Sequence, residues 1–251
     1  MTGEGRVTLA DRIEAHGPAL AGRVVEQLYR DPFWQERFGE RGRRFAEEDG
    51  RHHVSYLVQA LRVGEPDVLR AYAQWLQGVL TPRGMCSRHL SDNFALLADA
   101  LLADGLDAEG TATAYLRAAQ DALRYPDGAA RPIQEQADVL AARTVDAVSR
   151  QHPEWLDGRD EAGRARCQDA VRSYVSYLAD AVALERPELF ADHMRWTAGS
   201  LARRSIPVGD LDATLAALEG ALTVLPARAR EPALAALAAG RAAAQEAGGA
   251  A

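Results

Sequence analysis

Two residues that could do chemistry together, Asp49 and His53, lie four positions apart. On a helix this spacing puts both side chains on one face, where a carboxylate can orient an imidazole that acts as a general base. A surface pair has the same spacing without catalysis, and we favour that interpretation. His52, His53 and His89 show no H-x-x-x-H or E-x-x-H ligand spacing, and no G-x-S-x-G, G-x-x-x-x-G-K-[ST] or G-x-G-x-x-G motif occurs. The sequence therefore favours a non-enzymatic protein and predicts no metal site.

An internal repeat becomes visible when the chain is compared with itself at an offset of 121 residues. Between 51 and 102 the alignment needs no gap, and 16 of the 52 positions are identical. We interpret this as a tandem duplication. Large aromatics shared by both copies are expected in the core, whereas shared arginines could pair with carboxylates or hold an anionic ligand group. The shared pairs are Trp34 and Trp155, Arg51 and Arg172, Tyr56 and Tyr177, Trp75 and Trp196, and Arg83 and Arg204.

Two residue types have exchanged places between the copies. The first copy has His53 and Tyr72, and the equivalent positions of the second copy hold Tyr174 and His193. The spacing places one residue of each pair on a long helix and the other on the next helix. Two interpretations stay open: a His–Tyr hydrogen bond that needs no ligand, or a pocket where imidazole and phenol contact a bound molecule.

The elements that position these residues are predicted to be helices throughout. Apolar residues recur at helical spacing and no stretch alternates as a strand does. Short connections imply antiparallel neighbours, so we predict an all-α fold of two tandem antiparallel helical bundles. The first module covers 1–125 and the second covers 132–247, with Tyr125-Pro126-Asp127-Gly128 as the linker.

Capping signals set the predicted helix boundaries in the first copy. Thr8 is expected to cap a first helix that reaches Arg30 and bends at Gly17-Pro18, and Asp31-Pro32 to start a short element. A long helix should follow and end at Gly64, with the next helix starting at Glu65-Pro66. Ser87 is expected to cap a further helix, and the last helix should run from Asp107 to Arg124.

Composition narrows the function classes. The net charge of -7 argues against a nucleic-acid surface. No stretch approaches the roughly 18 apolar residues of a membrane span, and the N-terminus lacks a signal-peptide pattern, so we expect a cytoplasmic protein without membrane contact. All basic side chains are arginines, which excludes Schiff-base chemistry on lysine. The two cysteines, Cys86 and Cys167, suggest neither a disulfide framework nor a zinc site.

A set of residues in the second copy resembles a known bacterial module. It comprises Cys167-Gln168-Asp169, Tyr174-Val175-Ser176-Tyr177-Leu178, Pro187-Glu188-Leu189-Phe190-Ala191-Asp192, Trp196, Leu201-Ala202-Arg203-Arg204-Ser205-Ile206-Pro207 and Leu211. The pattern is similar to the helical module beside cobalamin-binding domains in bacterial sensory proteins, a group that includes the photocobilin-type photoreceptors, which pair cobalamin with a bilin. The first copy resembles it at Asp49, His53, Tyr56-Leu57, Tyr72, Trp75 and Arg83-Gly84.

The resemblance implies a sensory module that binds a tetrapyrrole, with a bilin as the leading candidate. No D-x-H-x-x-G segment is present to ligate cobalt, which argues against cobalamin. A tetrapyrrole needs an apolar slot with aromatic walls, arginines for its propionates, and a His or Asp near the pyrrole nitrogens. The first copy offers Trp75, Tyr72, Tyr56, Arg51, Arg83, His53 and Asp49. Cys86 could form a thioether to a bilin vinyl group or be an inert thiol at a helix start.

Two functions are therefore expected from different classes. The leading hypothesis is a non-enzymatic sensory or regulatory protein, such as a photoreceptor, whose partner is a small-molecule chromophore. The alternative is a helical scaffold that binds a partner protein and no small molecule. The oligomeric state, a homo-oligomer included, is left open.

Overall fold

The computed structural model describes residues 7–153 and 161–249, and every regular element within those ranges is a helix. The all-helical prediction is confirmed. The chain groups into two compact units, a first unit of Met1–Val79 with His89–Leu123 and a second unit of Leu80–Arg88 with Arg124–Ala251. No helix in the described part is long and apolar enough to cross a bilayer. Trp155, the predicted counterpart of Trp34, lies outside the described residues.

The first unit is built mainly from five helices. They are α1 (Leu9–Leu28), α2 (Pro32–Val63), α3 (Asp67–Leu80), α4 (Ser87–Ala103) and α5 (Thr111–Ala122). α1 packs along α2, and α5 also contacts α2. The core between them consists of fully or almost fully buried apolar side chains, namely Ile13, Leu20, Leu57, Leu69, Leu90, Phe94, Leu97, Leu101 and Leu116.

Several predicted boundaries of the first unit agree with the structure. Thr8 and Asp11 form a reciprocal capping box at the start of α1, and the helix continues through Pro18 to Leu28. Asp31 caps α2 through Phe33 N. Gly39 interrupts α2 with φ 60° and ψ -164°, a conformation that is essentially restricted to glycine, so a short helix precedes a long one as the sequence predicts.

One predicted helix start, at Asp107, and one predicted cap, Ser87, need correction. The last helix of the first unit begins at Thr111, not at Asp107. The buried Asp107 carboxylate instead accepts hydrogen bonds from the backbone N–H of Ala112 and Thr113 and from the Thr113 hydroxyl. Ser87, predicted as a cap, donates its hydroxyl to Asp180 at 2.5 Å. In both places a side chain from outside the local four-residue window satisfies the helix N-terminus.

The second unit contains the remaining helices. They are α6 (Ala130–Glu135), α7 (Ala137–Gln151), α8 (Glu161–Ala183), α9 (Pro187–Arg203), α10 (Val208–Ala221) and α11 (Ala227–Gly249). α9 packs along α11, α7 lies against both α8 and α10, and α6 contacts α8. The core is apolar and includes Ile133, Leu140, Val175, Leu178, Phe190, Met194, Leu215, Leu218 and Leu222, with Cys86 buried among them.

A buried carboxylate connects three segments of the second unit. Asp180 on α8 is 2% exposed and accepts hydrogen bonds from the Ser87 N–H at 2.8 Å, the Ser87 hydroxyl at 2.5 Å and the Tyr125 hydroxyl at 2.8 Å. Burial raises the pKa of Asp180 from 3.8 to about 6, while its hydrogen bonds act in the opposite direction. At neutral pH the carboxylate is ionised, and the three donors offset part of its desolvation.

Two non-glycine residues adopt left-handed backbone conformations at helix ends of the second unit. Glu185 follows α8 with φ 53°, and Ser205 follows α9 with φ 57°. At the equivalent positions, 121 residues earlier, the chain has Gly64 with φ 75° and Gly84 with φ 91°. The hydrogen bonds that close these turns also correspond, since Glu65 N donates to Ala60 O at 3.1 Å and Arg186 N donates to Ala181 O at 2.8 Å. The same turn therefore ends α2 and α8.

The left-handed turn at Glu185 predicts a stabilising substitution. A side chain in this conformation costs roughly 1–2 kcal/mol, which a glycine avoids, although glycine also increases the entropy of the unfolded chain. We expect Glu185→Gly to raise the free energy of unfolding by about 0.5–1 kcal/mol in urea titrations. The matched control Gly64→Ala should lower it by at least about 1 kcal/mol. Destabilisation by Glu185→Gly would contradict this account of the turn.

Candidate functional site

The exchanged pair of the first unit forms a direct hydrogen bond. His53 on α2 and Tyr72 on α3 are 3% and 5% exposed, and His53 Nδ1 lies 2.8 Å from the Tyr72 hydroxyl. Phe94 packs against the imidazole with a ring-centroid distance of 5.4 Å. The structure thus shows the His–Tyr hydrogen bond that the sequence left as one of two interpretations.

Burial sets the protonation of this pair. It lowers the pKa of His53 from 6.5 to about 4, with a smaller contribution from His52. Burial, followed by the charge of the nearby Asp49, raises the pKa of Tyr72 well above its ordinary value. The half-buried Asp49 itself has a raised pKa, mainly because of desolvation. At neutral pH the site therefore holds a neutral imidazole and a neutral phenol.

Tyr72 is the middle ring of a stack that reaches the surface. The Tyr56 ring lies face to face with it at a centroid distance of 3.9 Å and an angle of 13°, and Trp75 lies on α3 at 6.1 Å and 24°. Trp75 is 60% exposed and Tyr56 is 37% exposed. The expectation that these shared aromatics lie in the core is therefore wrong for Trp75 and Tyr56, although it holds for Trp34, which is 6% exposed.

The remaining residues of the predicted ligand site are dispersed. Arg51 is exposed on α2. Arg83 and Cys86 belong to the second unit, where Cys86 is 0% exposed within the core. The structure therefore brings together His53, Tyr72, Tyr56 and Trp75, with Asp49 close enough to affect Tyr72 electrostatically.

The second unit repeats this ring arrangement with the residue types exchanged. His193 is the middle ring, stacked on Tyr177 at 3.7 Å and 13° and on Trp196 at 6.0 Å and 19°. Tyr174 meets His193 edge-on at 5.8 Å and 60°, and His53 meets Tyr72 at 5.7 Å and 64° in the first unit. Tyr177 also donates a hydrogen bond to Gly84 O at 2.9 Å.

Beside Tyr174 the second unit has a pocket of about 380 Å³, here called the Tyr174 pocket. Its walls come from α7, α8, the end of α9 and α10. Apolar side chains form most of the lining surface, and seven of the fourteen lining residues carry a hydroxyl, thiol, guanidinium or carboxylate group. The lining residues are Thr144, Val145, Val148, Arg166, Cys167, Ala170, Val171, Tyr174, Leu201, Arg204, Ile206, Asp210, Leu211 and Thr214.

The polar lining of the Tyr174 pocket combines two arginines, a phenol, a thiol and two threonines with one carboxylate, that of Asp210. Burial raises the pKa of Tyr174 to about 12, and Cys167 adds to the effect, so the phenol is a hydrogen-bond donor at neutral pH. Arg166 and Arg204 are exposed residues that provide positive charge at the lining, and Cys167 is a half-buried thiol. The left-handed turn at Ser205 places Arg204 and Ile206 at the end of α9, where both line the pocket.

The first unit has an aromatic cluster at positions equivalent to part of this pocket. His89, 121 residues before Asp210, is 6% exposed. Its ring lies 5.1 Å from that of Phe33 and 5.0 Å from that of Trp34. Phe38 completes the cluster at 5.5 Å from Trp34. Side chains of the first unit thus pack closely around His89.

Sequence reasoning had singled out some of the residues that line the Tyr174 pocket. Tyr174 was marked by the exchange with His53, Arg204 by its identity with Arg83, and Cys167 by the resemblance. No sequence feature marked Arg166, Val145 or Val148, because a pocket depends on how helices pack and not on any motif.

Comparisons of the chain with protein-family models, with curated proteins and with solved structures returned no match. The resemblance to the module beside cobalamin-binding domains stays a prediction based on the residues quoted above.

Titration of His53 makes the stability of the fold depend on pH in a predictable direction. Because its pKa falls from 6.5 to about 4 on folding, the unfolded chain binds more protons between those values. The contribution of His53 to stability is therefore complete above pH 6.5 and is lost as the pH falls towards 4, by about 3 kcal/mol in total. We expect His53→Gln to remove this contribution to the free energy of unfolding, measured by denaturant titrations between pH 6.5 and about 4.

The quantity to compare is the difference between the free energies of unfolding of the wild type and His53→Gln at each pH, because other groups also shape each pH profile. Asp180 has a raised pKa of about 6, so its contribution to stability falls as pH rises and overlaps the His53 range with opposite sign. Both proteins contain Asp180, and subtraction cancels its effect. A pH-independent difference would show that His53 is not a buried neutral imidazole.

Proposed function

We propose that the chain is a tandem duplication in which one copy has kept a closed aromatic core and the other has an open ligand pocket. The shared ring geometry around Tyr72 and His193 supports the duplication, as do the matching left-handed turns at Gly64 and Glu185. The helix bounds agree as well, since α4 begins at Ser87 and α10 at Val208, 121 residues later.

Within this arrangement we propose that the protein is a non-enzymatic sensory or regulatory protein whose ligand occupies the Tyr174 pocket. The observation that carries the proposal is the pocket itself, which combines apolar walls with a phenol donor and two arginines against a single carboxylate, Asp210. Such a site selects a ligand that is largely apolar and carries carboxylates, because the arginines can hold carboxylates through charge-assisted hydrogen bonds.

A tetrapyrrole, and a bilin in particular, fits these requirements. It is a flat apolar molecule with two propionates, and a bilin also has lactam carbonyl groups that can accept a hydrogen bond. In this proposal Arg166 and Arg204 hold the propionates, and Tyr174 donates to a carbonyl oxygen. The volume of about 380 Å³ is at the lower end of the roughly 300–1,000 Å³ typical of small-molecule sites, so part of the pigment extends beyond it.

The proposal moves the ligand site from the first unit to the second. The sequence offered His53 and Tyr72 as candidate ligand contacts, beside the alternative of a hydrogen bond that needs no ligand, and these side chains satisfy each other at 2.8 Å. Cys167, and not Cys86, lies where a thiol can meet a ligand in the pocket, since Cys86 is 0% exposed.

The test is reconstitution of the purified chain with biliverdin and, separately, with haemin, followed by visible absorption spectroscopy. Ala170→Trp fills the Tyr174 pocket from its wall and should abolish the bound-pigment spectrum. Arg166→Ala should weaken pigment binding about tenfold because it removes one charge-assisted contact.

The matched control is Asp49→Trp, which places the same indole at the equivalent position of the first copy, 121 residues earlier. It should leave pigment binding intact. Loss of binding in Asp49→Trp but not in Ala170→Trp would return the site to the first unit. If neither pigment binds the folded wild-type chain, the tetrapyrrole proposal is wrong and the scaffold hypothesis is preferred.

A further inference from the structure

The first unit contains two oxidisable rings in sequence from the surface to the interior, with an imidazole bonded to the inner one. Trp75 is 60% exposed, Tyr72 is 5% exposed, and their ring centroids are 6.1 Å apart. His53, also buried, places Nδ1 2.8 Å from the Tyr72 hydroxyl. Tyr56 lies against the other side of the stack at 3.9 Å. An electron donor, a proton acceptor and a solvent-accessible indole are thus within near contact of one another.

We propose that Trp75, Tyr72 and His53 form a one-electron relay that moves an oxidising equivalent from the protein surface to a buried tyrosine. The oxidant is a small one-electron-oxidising radical that reaches Trp75 from solvent. This activity is independent of the Tyr174 pocket, because all three residues belong to the first unit.

The step is balanced in electrons and protons. The radical takes one electron from the Trp75 indole, which releases its ring N–H proton to water. Tyr72 then gives one electron to Trp75, and Trp75 takes a proton back from water. The Tyr72 O–H bond breaks and its proton forms an N–H bond at His53 Nδ1. The net result is a reduced radical, an unchanged indole, a Tyr72 phenoxyl and an imidazolium.

His53 is suited to this role by its protonation state and its surroundings. In the Nε2–H tautomer, Nδ1 accepts the hydrogen bond from Tyr72, and its lowered pKa keeps the imidazole neutral near pH 7. Because both residues are buried, the transferred proton stays beside the phenoxyl oxygen, and the low pKa of His53 favours its return when that radical is reduced. Asp49, four residues before His53 on α2, supplies negative charge near the pair.

The second unit provides an internal comparison. Its middle ring is His193, an imidazole that is not oxidised by a tryptophan radical, so the stack of Tyr177, His193 and Trp196 lacks the phenol at the relay position. The ring at the relay position is therefore an oxidisable phenol in the first unit and an imidazole in the second.

Pulse radiolysis of the full chain in azide solution tests the relay. The azidyl radical oxidises indoles, and the decay of the indole radical and growth of the phenoxyl absorption are followed in time. We expect a fast phase that is independent of protein concentration and slower in D2O. Tyr72→Phe and Trp75→Phe should remove it, and His53→Gln should slow it at least about tenfold because no base receives the proton.

The matched control is Trp196→Phe, which removes the corresponding indole from the second unit and should leave the fast phase unchanged. Trp75→Phe alters a largely exposed ring, so it remains informative if Tyr72→Phe does not fold. The proposal is overturned if Trp75→Phe and Trp196→Phe reduce the fast phase equally, or if that phase shows no dependence on D2O and His53.

Discussion

Each unit is organised around one polar aromatic ring held between two others. Tyr72 in the first unit and His193 in the second each join two consecutive helices, with an edge-on partner from the long helix, His53 or Tyr174. Burying a polar ring requires that its heteroatoms be satisfied, which limits what the edge-on residue can be. In the first unit this requirement is met by the bond between His53 and Tyr72. In the second unit the edge-on residue, Tyr174, also forms a wall of a pocket.

Sequence patterns predicted local features of the fold well and tertiary ones poorly. The cap at Thr8, the helix start at Asp31-Pro32 and the helix end at Gly64 depend on neighbouring residues and were correctly predicted. Asp107 accepts hydrogen bonds from the first turn of α5 across a loop, so local signals misplaced the start of that helix. Asp180 accepts from the first residue of α4 although it lies on another helix, so local signals assigned that cap to the wrong residue. The turns at Glu185 and Ser205 have no glycine to mark them, and only comparison with Gly64 and Gly84 explains them.

For the candidate site too, the sequence predicted which residues meet but not the features that depend on packing. Comparing the two copies identified the exchanged His and Tyr residues, and the structure places each pair in contact. It could not indicate the Tyr174 pocket, because a pocket arises where side chains fail to fill space. His89, Phe33 and Trp34 pack together in the first unit, whereas the pocket beside Asp210 depends on the packing of four helices. Exposure of Trp75 was likewise missed, since an aromatic at helical spacing is usually buried.

The central claim is that the second unit, and not the first, holds the ligand. A crystal structure of the chain with biliverdin tests this most directly. The account predicts pigment density between α7 and α10, in contact with Tyr174 and Arg204, and an unchanged bond between His53 and Tyr72. Pigment density against Tyr72 and Trp75, with that bond broken, would contradict it.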